Sequence, residues 1–241
     1  MEISVYQPKN HSKKCLVLIG GSGDNIEKFV PLVDVLRQKI KNFSICTFTF
    51  SFEGRTEYIL ELQSKELEDV VKQLINNQKF KELYLFCTSM GAYATVRLLA
   101  KAIYNNKIRK VIMYDPADYY FNSQQEHTWS GSQAYSAVKP VVSDKLKLIK
   151  GNFRIDVVHL TLRNYGKSGY IEPKYINRGK DHSDGYPRLN IEMVQSFYNK
   201  TPFANRGRYI EESDVPHGLL RDGNIKQNIS KVTQRIADLL T

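Results

Sequence analysis

The sequence predicts an α/β fold: a mostly parallel sheet with helices on both faces. Two observations support this prediction. Short runs of consecutive apolar residues, such as residues 15–21 (CLVLIGG), are typical of strands that are buried on both faces. Between these runs lie longer segments whose apolar residues recur at helical spacing. Regular alternation of strand and helix implies βαβ units, in which the strands are parallel.

The alternation is clearest in the first half of the chain. Two strands are predicted at residues 2–8 and 15–21. They are followed by a helix at 25–41, in which Phe29, Leu32, Val33, Leu36 and Ile40 share one face. The next elements are a strand at 43–52, a helix at 64–78, a strand at 82–87, a helix at 91–105 and a strand at 110–115.

The pattern weakens after Tyr120. The following segment begins with a polar, Ser-rich stretch and is too long for an ordinary connection, so we expect a small inserted cap at about 120–150. The remaining elements are a strand at 154–163, a loop at 164–187, a helix at 188–199, a strand at 206–213 and a helix at 224–240. No linker or internal repeat divides the chain, and we expect one domain, residues 1–241.

The composition is that of a globular protein, with 41% hydrophobic and 11% aromatic residues. The first residues do not have the pattern of a secretion signal, and no run of about eighteen apolar residues occurs. Three cysteines, Cys15, Cys46 and Cys87, lie within apolar strand-like runs and predict buried thiols instead of disulfides. We therefore expect a cytoplasmic protein without an integral membrane segment.

The formal charge is +10, and most of the excess lies in one region. Residues 139–208, which we call the basic region, contain 14 Lys and Arg against 6 Asp and Glu. These basic residues are scattered among apolar segments and form no nucleic-acid motif, so we expect no nucleic-acid partner. The region can still attract a small anionic molecule.

Residues 86–91 (FCTSMG) place Ser89 between an apolar strand and a helix that begins with small residues. A serine in this context has two interpretations. It can be a nucleophile on a sharp strand-to-helix turn, which tolerates only small neighbours. It can also be a helix N-cap, whose hydroxyl accepts a hydrogen bond from an unpaired backbone N–H.

The pentapeptide C-T-S-M-G resembles the G-x-S-x-G nucleophile elbow of the α/β-hydrolase family, with Cys87 in place of the first glycine. The glycine-rich segment 20–23 lies where that family has its oxyanion-hole loop. The resemblance implies an α/β-hydrolase fold with Ser89 as nucleophile and with oxyanion donors at Gly21 or Ser22 and at Met90. A phosphate cradle fits this loop poorly, because Ile26 stands at the third glycine position and no Lys-Ser/Thr pair follows.

The resemblance also implies that His217 is the catalytic base, because it falls after the last predicted strand and before the last helix. The remaining histidines are weaker candidates; they are His11, His127, His159 and His182. His182 lies between two aspartates in a polar loop of the kind that is usually solvated, and we assign no metal site.

The acid of the triad is less well defined by the resemblance. Asp184 precedes a predicted helix and His217 in the chain, and we prefer it to Asp181. Asp118 and Asp115 are the alternatives, because some relatives carry the acid after the preceding strand.

These assignments predict a serine hydrolase that cleaves an ester-type acyl bond through an acyl-serine intermediate, as carboxylesterases and lysophospholipases do. No cofactor is required, and the expected partner is a small acyl substrate, which the basic region would allow to be anionic. A peptidase or thioesterase on the same fold and a non-catalytic binding module are the alternatives. The sequence does not indicate the oligomeric state.

Overall fold

The computed structural model describes residues 2–21, 24–52, 57–116, 149–160, 207–212, 215, 220 and 224–241. Within these residues it shows a seven-stranded sheet and four helices. The strands are β1 (Glu2–Tyr6), β2 (Lys14–Ile19), β3 (Ser44–Thr49), β4 (Glu82–Ser89), β5 (Ile108–Pro116), β6 (Arg154–Leu160) and β7 (Tyr209–Glu212). The helices are α1 (Ile26–Lys39), α2 (Glu57–Asn76), α3 (Gly91–Ala100) and α4 (Ile225–Leu240).

The strand order in the sheet is β1-β3-β2-β4-β5-β6-β7. Strand β1 is antiparallel to β3, and every other neighbouring pair is parallel. The carboxyl ends of β2 to β7 therefore lie along one edge of the sheet, which we call the carboxyl edge. The predicted fold class, a mostly parallel sheet, is confirmed.

The helices cover both faces of the sheet, as predicted. Alternate residues of β2 explain why its sequence is continuously apolar: Cys15, Val17 and Ile19 lie in the cluster with α2 and α3, whereas Leu16 and Leu18 lie in the cluster with α1 and α4. All five are fully buried. Burial of each of the larger aliphatic side chains stabilises the fold by roughly 1.5–3 kcal/mol.

Two predicted helix boundaries are wrong. Helix α2 begins at Glu57, seven residues before the predicted start, because Leu60 and Gln63 continue its buried face in a stretch rich in good helix formers. Helix α3 ends at Ala100 instead of residue 105. The N–H groups of Lys101 and Ala102 donate to carbonyls three residues back, and Ala102 has a left-handed φ of 58°, so the chain leaves the helix there.

Several predicted features lie outside the described residues and remain predictions. They are the cap at about 120–150, the loop at 164–187 and the helix at 188–199. In the described part of the chain, none of the helices combines the length and the apolar character that a membrane span needs.

Candidate active site

Ser89 is the last residue of β4, at the carboxyl edge in the middle of the sheet. Its φ is 45°, a left-handed value that is uncommon for a residue other than glycine. Helix α3 begins two residues later, and its N-cap is Met90, which makes no side-chain capping bond. Ser89 is therefore not the N-cap of α3, and its backbone has the strained strand-to-helix turn expected of a nucleophile elbow.

Gly91 allows this turn to lie close to the end of the neighbouring strand β2. A Cβ at position 91 would stand 2.6 Å from the Gly20 carbonyl oxygen and 2.8 Å from that of Ile19. Both contacts are with backbone atoms, which cannot move aside as a side chain can. Residue 91 must be glycine for α3 to start directly beside β2.

Replacing Gly91 by alanine is therefore expected to destabilise the protein by about 1–3 kcal/mol, the usual cost of overpacking. Helix propensity alone would make Gly91→Ala stabilising, because alanine is favoured over glycine in helices by about 1 kcal/mol. Urea denaturation measures the change. Ala100→Gly at the other end of α3 is the control for propensity. An unchanged or higher stability of Gly91→Ala would contradict the close packing of residue 91 against the end of β2.

Gly21 brings the loop after β2 against the Ser89 side chain. A Cβ at Gly21 would stand 3.0 Å from Ser89 Cβ and 3.6 Å from Ser89 Oγ. Gly21, part of the glycine-rich segment singled out in the sequence, is thus adjacent to the serine. Backbone N–H groups of such a loop are suited to hold the negative oxygen that forms during acyl transfer.

The Gly21 N–H already has a partner within the loop. It donates to Asp24 Oδ2 at 2.8 Å, while the Asp24 N–H donates to the Gly21 carbonyl oxygen at 3.3 Å. Asp24 is not among the predicted site residues, although an Asp at the end of a glycine-rich turn commonly bonds to nearby backbone N–H groups. To serve as an oxyanion donor, Gly21 would have to exchange Asp24 for the substrate.

Asp115 is a buried carboxylate at the carboxyl edge, on the strand next to Ser89. It lies in β5, which pairs with β4 so that Ser89 is opposite Pro116. Its side chain is 5% exposed, and its Oδ1 accepts a hydrogen bond from the Leu160 N–H at 3.4 Å. Its φ is 46°, so Asp115, one residue before the end of β5, has the same uncommon conformation as Ser89 at the end of β4. Such strained backbones cluster at functional sites.

Comparisons with known proteins give matches in structure alone. No protein-family model and no curated protein sequence matches the chain. An esterase from Pyrococcus furiosus is 16% identical with a TM-score of 0.61, covering 99% of this chain and 91% of its own. A monoacylglycerol lipase from Paleococcus ferrophilus is 13% identical with a TM-score of 0.59, covering 99% of both chains. An enol-lactonase from Burkholderia xenovorans is 12% identical with a TM-score of 0.62, covering 99% of this chain and 95% of its own. The chain has the α/β-hydrolase fold.

The elbow departs from the usual α/β-hydrolase pattern at Cys87. The thiol is fully buried and its sulfur lies 3.7 Å from the Ile112 carbonyl oxygen, so the strand accommodates the larger side chain inside the core. Burial raises the pKa of Cys87 to about 12. The thiol therefore stays protonated at neutral pH, and Cys87 is not a reactive nucleophile.

Several predicted members of an α/β-hydrolase site lie outside the described residues. They are Ser22, Asp118, Asp181, Asp184 and His217. Their assignments remain predictions. Among the residues that are described, Ser89, Met90, Gly21 and Asp115 all lie at the carboxyl edge. In the same part of the chain, no three His, Cys, Asp or Glu side chains form a group that could hold a metal ion.

Proposed function

We propose that the chain is a serine hydrolase that cleaves an ester-type acyl bond through an acyl-serine intermediate, in the manner of a carboxylesterase or a lysophospholipase. One observation carries the proposal: Ser89 has a left-handed backbone at a strand-to-helix turn, with the backbone of Gly21 directly against its side chain. The names of the similar structures, an esterase, a lipase and a lactonase, agree with attack on an ester-type carbonyl.

In the proposed reaction Ser89 Oγ attacks the carbonyl carbon, and His217 accepts the serine proton. The leaving group takes that proton from His217 as the C–O bond breaks and the acyl-serine forms. Water then attacks the acyl-serine with His217 again as base, which releases the acid and regenerates Ser89.

The oxyanion would be held by backbone N–H groups. Met90 is the first donor that we propose, because it is the N-cap of α3 and the first N–H groups of a helix have no partner within the helix; the helix dipole also favours negative charge there. The second donor would be Ser22, or Gly21 once it has released Asp24.

We propose Asp115 as the carboxylate that orients His217. Its burial, its strained backbone and its position one strand from Ser89 support this role. Asp184, the preferred acid in the sequence analysis, stays the competing prediction.

The function is tested by incubating the chain with a fluorophosphonate probe and mapping the modified peptide by mass spectrometry. A panel of ester, thioester and aminoacyl substrates of matched acyl chain then defines the bond that is cleaved. We expect modification at Ser89 and fastest turnover of esters. Faster thioester or aminoacyl turnover would support the thioesterase or peptidase alternative, and no modification would support a binding module.

The basic region leads to a prediction about the substrate. We expect kcat/KM for an ester with a negatively charged group to exceed that for a neutral ester of equal chain length, because the net positive charge concentrates anions near the protein. The preference should weaken as salt is added, since the screening length falls to about 10 Å at 0.1 M ionic strength. Equal kcat/KM values for the two esters at low and high salt would show that these charges have no role in substrate selection.

A further inference from the structure

A second buried carboxylate lies at the carboxyl edge and has no role in the proposed chemistry. Glu212 is the last residue of β7 and is 9% exposed. Its Oε2 accepts a hydrogen bond from the Tyr114 hydroxyl, and its Oε1 accepts one from Arg235 Nε of α4. Both bonds involve a charged group, the Glu212 carboxylate, which makes them stronger than bonds between neutral groups.

The Tyr114–Glu212 bond connects two strands that are not neighbours. Strand β6 lies between β5 and β7, so the two side chains meet across it. Tyr114 is 1% exposed and is paired in register with Thr88, the residue before Ser89. Tyr114 also immediately precedes Asp115. One end of the bond is therefore fixed beside the proposed nucleophile and acid.

The other end of the bond belongs to the segment that leads to the proposed base. His217 follows Glu212 by five residues. Between them, Val215 is fully buried in the same apolar cluster as Tyr114 and Ile229 of α4. The chain is thus held at two points, by hydrogen bonds at Glu212 and by packing at Val215, shortly before His217.

The protonation states suit this arrangement. Burial and the adjacent carboxylate of Glu212 raise the pKa of Tyr114 far above its usual value, so the phenol remains a hydrogen-bond donor. The hydrogen bond to Glu212 also raises the pKa of Arg235. Removing either donor would leave a buried carboxylate with fewer partners, and the end of β7 would be free to shift.

We propose that Tyr114, Glu212 and Arg235 are positioning residues that fix the segment bearing His217 relative to the strand ends bearing Ser89 and Asp115. This inference rests on the proposed function. A displacement of about 1 Å at a catalytic group can lower turnover by roughly 100-fold, so loss of this network should affect catalysis more than binding.

The test compares Tyr114→Phe, which keeps the ring and removes the hydroxyl, with Glu212→Gln and with the double variant. Active sites are titrated with the fluorophosphonate probe, and kcat is expressed per labelled site, so that unfolded protein does not contribute. We expect kcat per site to fall by roughly 10- to 100-fold with KM changed by less than about twofold. The double variant should lose little more than the worse single variant, because the residues act as one unit.

Asp156→Asn is the matched control. Asp156 is also a buried carboxylate, 1% exposed; it accepts a hydrogen bond from the Arg208 N–H at 2.7 Å and pairs with Lys110 at 3.4 Å. Arg208 lies four residues before Glu212, roughly 13 Å along the strand direction. The control should lose stability but keep its kcat per site.

Two results would overturn the inference while leaving the proposed function intact. The first is that kcat per site in Tyr114→Phe and in Glu212→Gln stays within about twofold of the parent value. The second is that kcat per site falls as far in the control Asp156→Asn as it does in these two variants. If Glu212→Gln does not fold, Tyr114→Phe alone decides between these outcomes. Absence of labelling in the parent chain would overturn the proposed function and this inference together.

Discussion

Replacing Ser89 by alanine is expected to abolish labelling by a fluorophosphonate and to lower kcat by roughly 10⁶-fold, the scale of loss when a serine nucleophile is removed. The free energy of unfolding should change by less than about 1 kcal/mol, because serine and alanine are equally strained at a φ of 45° and the hydroxyl does not cap α3. Mass spectrometry of the labelled protein measures the loss of reactivity, and urea denaturation measures the change in the free energy of unfolding.

Ser64→Ala is the matched control for this experiment. Ser64 lies in α2, is fully buried, and its hydroxyl has no hydrogen-bond partner among the described residues. Its removal should leave labelling and kcat at parental values. Undiminished labelling of Ser89→Ala would show that the probe reacts elsewhere and that the elbow serine is not the nucleophile.

Asp115→Asn is expected to lower kcat by about 10⁴-fold with little change in KM, because an orienting carboxylate acts on the transition state and not on substrate binding. The substitution keeps the side-chain volume and leaves an oxygen that can still accept the hydrogen bond from the Leu160 N–H. Steady-state kinetics per titrated active site separates the loss of charge from any loss of folded protein.

Asp184→Asn, measured in parallel, should remain near the parent. The reverse result, an active Asp115→Asn and an inactive Asp184→Asn, would show that the sequence-based preference for Asp184 is right. Asp118→Asn and Asp181→Asn complete the comparison. Activity in all four variants would exclude each of these carboxylates as the acid.

The sequence predicts the sheet well because each of its central strands is buried on both faces. Such strands must be continuously apolar, as β2 is, and a short, continuously apolar run is easy to recognise in a sequence. Helix boundaries are harder to predict. The start of α2 at Glu57 depends on the burial of Leu60 in the core. The end of α3 depends on the left-handed backbone of Ala102. Neither feature can be recognised from the spacing of apolar residues alone.

The strand-to-helix turn could be predicted because its residues are contiguous: Ser89, Met90 and Gly91 follow one another in the sequence. The bond between Gly21 and Asp24 is also local, but several side-chain orientations are compatible with the same turn sequence. The Tyr114–Glu212 bond joins residues 98 positions apart, and no local pattern relates them. Only the order of the strands, with β6 between β5 and β7, brings the two together.

Because of the same strand order, the parts of the proposed site are synthesised at different times on the ribosome. Strands β1 to β5 form one side of the sheet and are complete by Pro116, with Ser89 and Asp115 already in them. The segment with His217 emerges about 100 residues later, which at 5–20 residues per second is a delay of roughly 5–20 s. Until β6, β7 and α4 dock, the edge of β5 is open and the proposed nucleophile has no base. The proposed function therefore predicts that a nascent or truncated chain is inactive toward esters even if its first half has folded.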